Sequence, residues 1–132
     1  MARRSRIWEG DLTVLVCRGC CCGRSAKHPD VNHQAQVDAI ERAVESTDRA
    51  RVLIVDCVGE CSHSNVVVVR HRGLTGTTTT TWLGAVLGNR RTRALCDWLA
   101  AGGPRVQVLP STLAFAVFTP GRDAACAIER LD

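Results

Sequence analysis

Leu12-Thr-Val-Leu-Val16, which is followed directly by Cys17, sets the architecture of this chain. Its leucine and β-branched side chains predict a short buried strand that ends on a cysteine. Arg51-Val-Leu-Ile-Val-Asp56 repeats the arrangement, since it is apolar throughout its middle and is followed by Cys57. A continuous apolar run is typical of a strand that is covered on both faces of its sheet. We therefore predict two buried strands of one sheet, each with a cysteine at its carboxyl end.

Helices and further strands account for the chain as far as residue 104. A helix is predicted from about His33 to Val44, with Asn32 as its cap, because apolar residues recur there at helical spacing. The later elements are two β-prone runs and a second helix: Val66 to Arg70, Thr77 to Leu83 and Asn89 to Ala101. The two runs flank a glycine-containing turn and predict an antiparallel hairpin, with the threonine-rich run at the sheet edge. The order β-α-β-β-β-α predicts an α/β domain on a mixed four-stranded sheet.

Length and composition favour a single domain. The chain has 132 residues, of which 45% are hydrophobic, and soluble domains usually contain roughly 100 to 150 residues. We divide it into a basic N-terminal segment (1–11), the domain itself (12–104) and a C-terminal extension (105–132) to which the sequence assigns no role. No apolar run approaches the ~20 residues that a membrane span needs. No export core follows the basic N-terminus either, so the predicted location is the cytoplasm.

Arginine supplies almost all of the positive charge. The formal net charge is +4, and Lys27 is the only lysine. Because the arginines are spread along the sequence and do not form one stripe, nucleic-acid binding gains little support. A basic surface would instead steer docking to an acidic partner protein.

Six of the eight cysteines fall into two tight groups: Cys17, Cys20, Cys21 and Cys22, then Cys57 and Cys61. Disulfide frameworks scatter cysteines along the chain, whereas short fixed spacings in a cytosolic protein favour metal binding. A [2Fe-2S] cluster needs four thiolates, two for each iron. Two pairs, Cys17-x4-Cys22 and Cys57-x3-Cys61, begin where strands of one sheet end, which is where open α/β sheets usually bind ligands. Each of the two pairs can therefore supply one iron of such a cluster.

The sequence around these pairs closely resembles that of the thioredoxin-like [2Fe-2S] ferredoxins, a family similar to the small cluster-bearing subunit of respiratory NADH dehydrogenases. The likeness lies in two segments: Val16-Cys-Arg-Gly-Cys-Cys-Cys-Gly23 and Asp56-Cys-Val-Gly-Glu-Cys-Ser-His-Ser-Asn-Val-Val-Val-Val69. It covers about Leu12 to Ala101 and is strongest to the stand-alone bacterial members. The resemblance implies a thioredoxin-like sheet, a tendency to dimerise, and Cys17 with Cys22 and Cys57 with Cys61 as the two ligand pairs. Cys21 is an alternative to Cys22.

A one-electron carrier is the function that this resemblance implies. Such a protein is not an enzyme: it takes an electron from a reductase and passes it to an acceptor enzyme. No nucleophile-base constellation in the sequence argues otherwise. Two alternatives stay open, a structural zinc module on the same thiolates or on Cys17 and Cys20 with the second pair, and a thiol redox protein that uses Cys17 and Cys20.

Several other residues carry weaker predictions. Four basic residues near the first group either add positive charge beside the cluster or lie on the solvated surface: Arg18, Arg24, Lys27 and His28. His63 is predicted to be a surface loop histidine and not an iron ligand. Cys96 and Cys126 are predicted to be buried structural cysteines, and Trp82 and Trp98 to lie in the core.

Overall fold

A computed structural model describes residues 11–18, 29, 31–56, 60, 63, 65–73 and 76–129 of the chain. Its strands are β1 (Leu12–Cys17), β2 (Ala50–Val55), β3 (Val67–Arg72) and β4 (Thr78–Leu83). Its α-helices are α1 (His33–Glu45), α2 (Gly88–Ala100), α3 (Ser111–Ala114) and α4 (Arg122–Glu129), and a 3-10 turn spans Gly103–Arg105. The predicted order β-α-β-β-β-α is confirmed, and the two short helices follow it.

The four strands form one mixed sheet in the order β2-β1-β3-β4. β1 runs parallel to β2, with Leu12 opposite Ala50 and Cys17 opposite Val55, while the β1-β3 and β3-β4 pairs are antiparallel. The chain therefore has a thioredoxin-like α/β fold. The hairpin and the edge position of the threonine-rich strand are both confirmed. Because β1 and β2 are parallel and in register, their carboxyl ends lie side by side at one end of the sheet. We call this end the cysteine edge; it runs across the strand ends and is distinct from the edge strands β2 and β4.

Helices α1 and α2 cover one face of the sheet. Asn32 caps α1 by accepting a hydrogen bond from the backbone N–H of Ala35 at 2.9 Å. The strand residues on this face alternate, as the pleat requires, and meet apolar residues of the two helices. The main members of this cluster are Leu12, Val14, Val16, Val67, Val69, Leu83, Ile40, Val44, Leu95, Trp98 and Leu99. Trp98 is buried here, as predicted, and its indole Nε1 donates to the carbonyl oxygen of Gln107 at 3.0 Å.

Helix α4 covers the other face of the sheet. The intervening strand residues point to this side and form a second apolar cluster with it: Leu15, Cys17, Val66, Val68, Trp82, Ala124 and Ile128. Trp82 is thus also a core residue, as predicted. Residues 105–132, whose role the sequence left open, contribute Leu113 and Ala116 to the first cluster and α4 to the second. The C-terminal extension therefore covers the far face and also adds to the core under α1 and α2.

The chain reaches α4 by passing the end of β4. The backbone N–H of Gly84 donates to the carbonyl of Ala116 at 2.8 Å, and that of Phe118 donates to the carbonyl of Trp82 at 3.1 Å. These bonds attach the extension to the cysteine edge before it crosses to the far face.

The expectation that both predicted strands are covered on both faces is confirmed for β1 and wrong for β2. All six residues of β1 are buried. β2 lies at the edge of the sheet, and its Ile54 is 49% exposed. Within the described residues, no helix has the length and apolar character needed to cross a bilayer.

Candidate functional site

Cys17 ends β1 at the cysteine edge, in contact with the end of β2. Its side chain is only 2% exposed and packs in the cluster under α4. The sulfur Sγ lies 3.5 Å from the carbonyl oxygen of Asp56, and the N–H of Arg18 donates to the carbonyl of Val55 at 2.8 Å. Asp56 directly precedes the second cysteine pair in the sequence. The two cysteine motifs therefore begin at neighbouring points of one sheet edge.

The remaining predicted ligands, Cys22, Cys57 and Cys61, lie outside the described residues, as do Cys20 and Cys21. The four-thiolate set and the choice between Cys21 and Cys22 stay predictions. In the part of the chain that the structure describes, no three His, Cys, Asp or Glu side chains come together in a metal-binding group. The structure thus locates one of the four predicted ligands.

The surroundings of Cys17 fit the requirements of a cluster ligand. Iron-sulfur clusters are tuned by hydrogen bonding and by shielding from solvent, and the apolar cluster around Cys17 provides such shielding. The contact between Cys17 Sγ and the Asp56 carbonyl is one that a protonated thiol makes as a weak donor. Since metals bind the thiolate, this proton would leave when iron binds, and the carbonyl would lose its donor.

A buried polar network lies on the α1 side of the same edge. We call it the edge network, and it consists of Arg18, His33, Gln36 and Asn65. Gln36 is 3% exposed and Asn65 is fully buried. The Arg18 guanidinium donates to Gln36 Oε1 at 2.6 Å, and Asn65 Nδ2 donates to the same oxygen at 3.3 Å. Asn65 Nδ2 also lies 3.0 Å from His33 Nδ1. Buried polar groups are stabilising only when paired in this way.

The edge network joins the ends of both cysteine loops to the helices. Arg18 immediately follows Cys17, while Asn65 follows the second pair. Gln36 extends the network to α2, because its Nε2 donates to the carbonyl of Val86 at 2.6 Å and to Thr92 Oγ1 at 3.1 Å. Both helices therefore begin at the cysteine edge.

Arg18 is held in place and is not a freely solvated side chain. Besides its bond to Gln36, its guanidinium donates to the carbonyl of Cys17 at 2.8 Å and to that of His33 at 3.4 Å. Of the two roles that the sequence left open for Arg18, the structure favours a fixed positive charge beside Cys17. Arg24, Lys27 and His28 lie outside the described residues.

The C-terminal extension contacts the two residues of the second cysteine loop that the structure describes, Glu60 and His63. The rings of His63 and Phe118 are stacked, with centroids 3.9 Å apart and an interplanar angle of 7°. The N–H of Gly121 donates to Glu60 Oε2 at 2.7 Å. A Cβ atom at Gly84 would lie 2.9 Å from the Cβ of His63, so the site has no room for a larger residue. His63 is thus a packed residue, which the prediction of a surface loop histidine did not capture.

The two remaining cysteines differ from each other. Cys96 is half-buried, and burial, with Asp97 nearby, raises the pKa of its thiol. The prediction of a buried structural cysteine is wrong for Cys126, which is exposed. The reason is its position on α4: Ala124 and Ile128, one helical turn apart, face the sheet, and residue 126 between them points away.

The sequence did contain a signal for the edge network. Gln36, Ile40 and Val44 recur at intervals of about one helical turn, so Gln36 lies on the apolar stripe of α1. A polar residue on such a stripe needs a buried partner. Asn65 gave a similar signal, because it directly precedes the continuous valine run that starts at Val66.

Replacing Asn65 with alanine is expected to lower the free energy of unfolding by about 1 to 3 kcal/mol, because it removes the buried Nδ2 donor to His33 Nδ1 and to Gln36 Oε1, of which Gln36 keeps its bond from Arg18. The matched variant is Asn89→Ala, at an exposed position in the first turn of α2. Its effect should stay within about 0.5 kcal/mol. Urea unfolding measures both variants, and equal losses would contradict the network as described.

No protein-family model and no curated protein matches this chain. The likeness of the cysteine motifs to the thioredoxin-like ferredoxins therefore rests on the motif residues themselves. The fold class has separate support in the order and direction of the four strands.

Proposed function

We propose that the protein is a one-electron carrier that holds a single [2Fe-2S] cluster on four thiolates: Cys17, Cys22, Cys57 and Cys61. The observation that carries the proposal is the 3.5 Å contact between Cys17 Sγ and the Asp56 carbonyl, where β1 and β2 end side by side. The second motif continues from Asp56 in the sequence. Two motifs that are distant in sequence thus begin at one sheet edge, as a shared small cluster requires.

The described residues near Cys17 would hold and tune this centre. The cluster itself would supply the capacity to take up and release one electron. Cys17 contributes a ligand atom shielded by apolar side chains. Arg18 contributes a permanent positive charge, which favours the more negative reduced state and raises the reduction potential. The edge network fixes Arg18 in that position.

Three further proposals concern the redox partners, the location and the assembly of the protein. The electron donor would be a reductase and the acceptor another redox enzyme, so the protein itself is not an enzyme. The cytoplasm is the proposed location, because thiols are kept reduced there and available for metal. A homodimer is the assembly that the family resemblance implies.

A thiol redox protein is the weaker alternative on structural grounds. A reactive thiol needs solvent access and a lowered pKa, often from a helix N-terminus. Cys17 is 2% exposed, and among the described residues the next helix after it is α1, which begins at His33. A structural zinc module is distinguished from the carrier by metal analysis.

Anaerobic purification tests the proposal directly. The protein should be red-brown, lose its visible absorption on addition of dithionite, and contain two irons and two acid-labile sulfides per chain. Of Cys21→Ser and Cys22→Ser, the variant that loses or alters the cluster identifies the second ligand. A colourless protein with stoichiometric zinc would establish the zinc module, and a colourless metal-free protein would leave the thiol redox role.

A further inference from the structure

The amino-terminal half of α2 carries a strongly basic surface. We call it the arginine surface, and it consists of Arg90, Arg91 and Arg93 of α2 with Arg42 of α1. Arg42, Arg90 and Arg93 are exposed. No acidic residue occupies the first turn of α2, and no side chain caps it. The partial positive charge of the helix N-terminus therefore adds to that of the guanidinium groups.

This arrangement does not stabilise the helix. Cations at a helix N-terminus are repelled by the helix dipole, and stable helices usually place carboxylates there. Arg91 is tied back by its Nη1, which donates to the carbonyl of Ala85 at 2.7 Å. Arg90 and Arg93 are exposed at the same helix N-terminus, and their guanidinium groups attract external anionic groups.

An open groove between α1 and α2 brings three of these arginines together. Arg42 lines it from α1, and Arg90 and Arg93 line it from α2. Among the described residues around the groove, Asp97 is the one acidic side chain. The groove therefore carries a net positive charge and suits carboxylate groups.

An exposed aromatic ring lies next to the arginines. Phe115 is 67% exposed, and the Arg91 guanidinium lies 4.6 Å from the centre of its ring. The two residues border a second groove between α2 and α3, which Arg90 also lines. Arginine and aromatic side chains are enriched in the buried centres of protein interfaces.

Hydrogen bonds connect the arginine surface to the candidate cluster site. Gln36 accepts a hydrogen bond from Arg18 and donates one to Thr92, which lies between Arg91 and Arg93. A partner bound to the arginine surface would therefore lie at the same end of the molecule as Cys17.

We propose that the arginine surface and Phe115 dock an acidic segment of a partner protein, with its carboxylates in the groove and an apolar side chain against Phe115. The inference deepens the proposed function, since it gives the chemistry of the surface that a redox partner would present. That the partner is a redox protein rests on the proposed function. The docking itself needs only the described side chains.

Fluorescence anisotropy with labelled peptides tests the docking. The probes are a peptide of alternating glutamate and leucine, a polyglutamate peptide and a single-stranded DNA oligonucleotide, all of equal net charge. Arg90→Glu should weaken binding of the glutamate-leucine peptide roughly tenfold at low ionic strength, because it places like charges together. Phe115→Ala should weaken binding of the glutamate-leucine peptide but leave binding of the polyglutamate peptide unchanged.

The matched control is Arg122→Glu, which makes the same change in charge at an exposed position in the first turn of α4, the helix on the opposite face. Equal loss of affinity in Arg90→Glu and Arg122→Glu would overturn the proposal, as would tighter binding of the oligonucleotide than of either peptide. Iron analysis of the same samples keeps the two proposals apart. Peptide binding by an iron-free protein would reject the carrier and retain the docking surface, and an iron-loaded protein that binds no peptide would do the reverse.

Discussion

Replacing Cys17 with alanine is expected to remove the visible absorption of the purified protein and to lower its iron content by roughly tenfold or more. Loss of a hydrogen-bonding partner behind a metal ligand already weakens metal binding about 10- to 100-fold, and loss of the ligand itself should cost at least as much. Alanine is small and apolar, so it suits the apolar cluster in which Cys17 lies. Iron and acid-labile sulfide analysis measures the effect, and far-ultraviolet circular dichroism checks that the fold persists.

Cys126→Ala is the matched control, because this cysteine is exposed on α4 and has no predicted contact with the cluster. Its iron content and spectrum should equal those of the unmodified protein. Cys96→Ala, at a half-buried position, controls for loss of a packed thiol. If Cys17→Ala folded and still held two irons and two sulfides, Cys17 would not be a ligand and the four-thiolate site would be wrong.

The helices and strands could be predicted because their signals are local. The apolar stripe of α1 and its Asn32 cap lie within one segment, and the observed helix extends the predicted range only from Val44 to Glu45. The same holds for the four strands, whose β-branched runs contain the information needed. The thioredoxin-like order of elements follows once these segments are recognised.

Exposure at the sheet edge could not be predicted in the same way. The run 52–55 is apolar whether its strand is central or at an edge, since both positions can bury one face. Which strands flank it depends on contacts far away in the sequence. Ile54 therefore proved half-exposed, although its neighbours predicted burial.

The candidate site shows the same limit. The position of Cys17 at a strand end follows from the sequence, but its contact with Asp56 needed the parallel pairing of β1 and β2. The partners of Gln36 and Asn65 come from separate segments, so the sequence signals that these residues need partners without naming them. The role of α4 was hidden for a similar reason, because an apolar stripe does not specify the surface that it covers.

Replacing Ile128 with alanine is expected to lower the free energy of unfolding by about 2 to 5 kcal/mol, the usual cost of truncating a buried isoleucine to alanine. Ile128 is buried and is one of two α4 residues in the cluster on the far face of the sheet. The backbone contact of α4 with Arg70, whose Nη1 donates to the Ile128 carbonyl at 3.4 Å, does not involve the side chain that is removed. The loss would be a large share of the roughly 5 to 15 kcal/mol that stabilises a domain. Urea unfolding provides the measurement.

Ile54→Ala is the matched control, since it removes the same atoms from a side chain that is 49% exposed, and its cost should stay below about 1 kcal/mol. Equal losses in the two variants would show that α4 does not pack on the sheet as described.

A second readout separates packing from protection of the site. Because Cys17 shares its cluster with Ile128, loosening α4 should make the metal centre more accessible, and Ile128→Ala should lose iron to a chelator faster than Ile54→Ala. Faster loss would make the C-terminal extension a structural cover of the Cys17 site, whereas unchanged loss would restrict it to stabilising the fold.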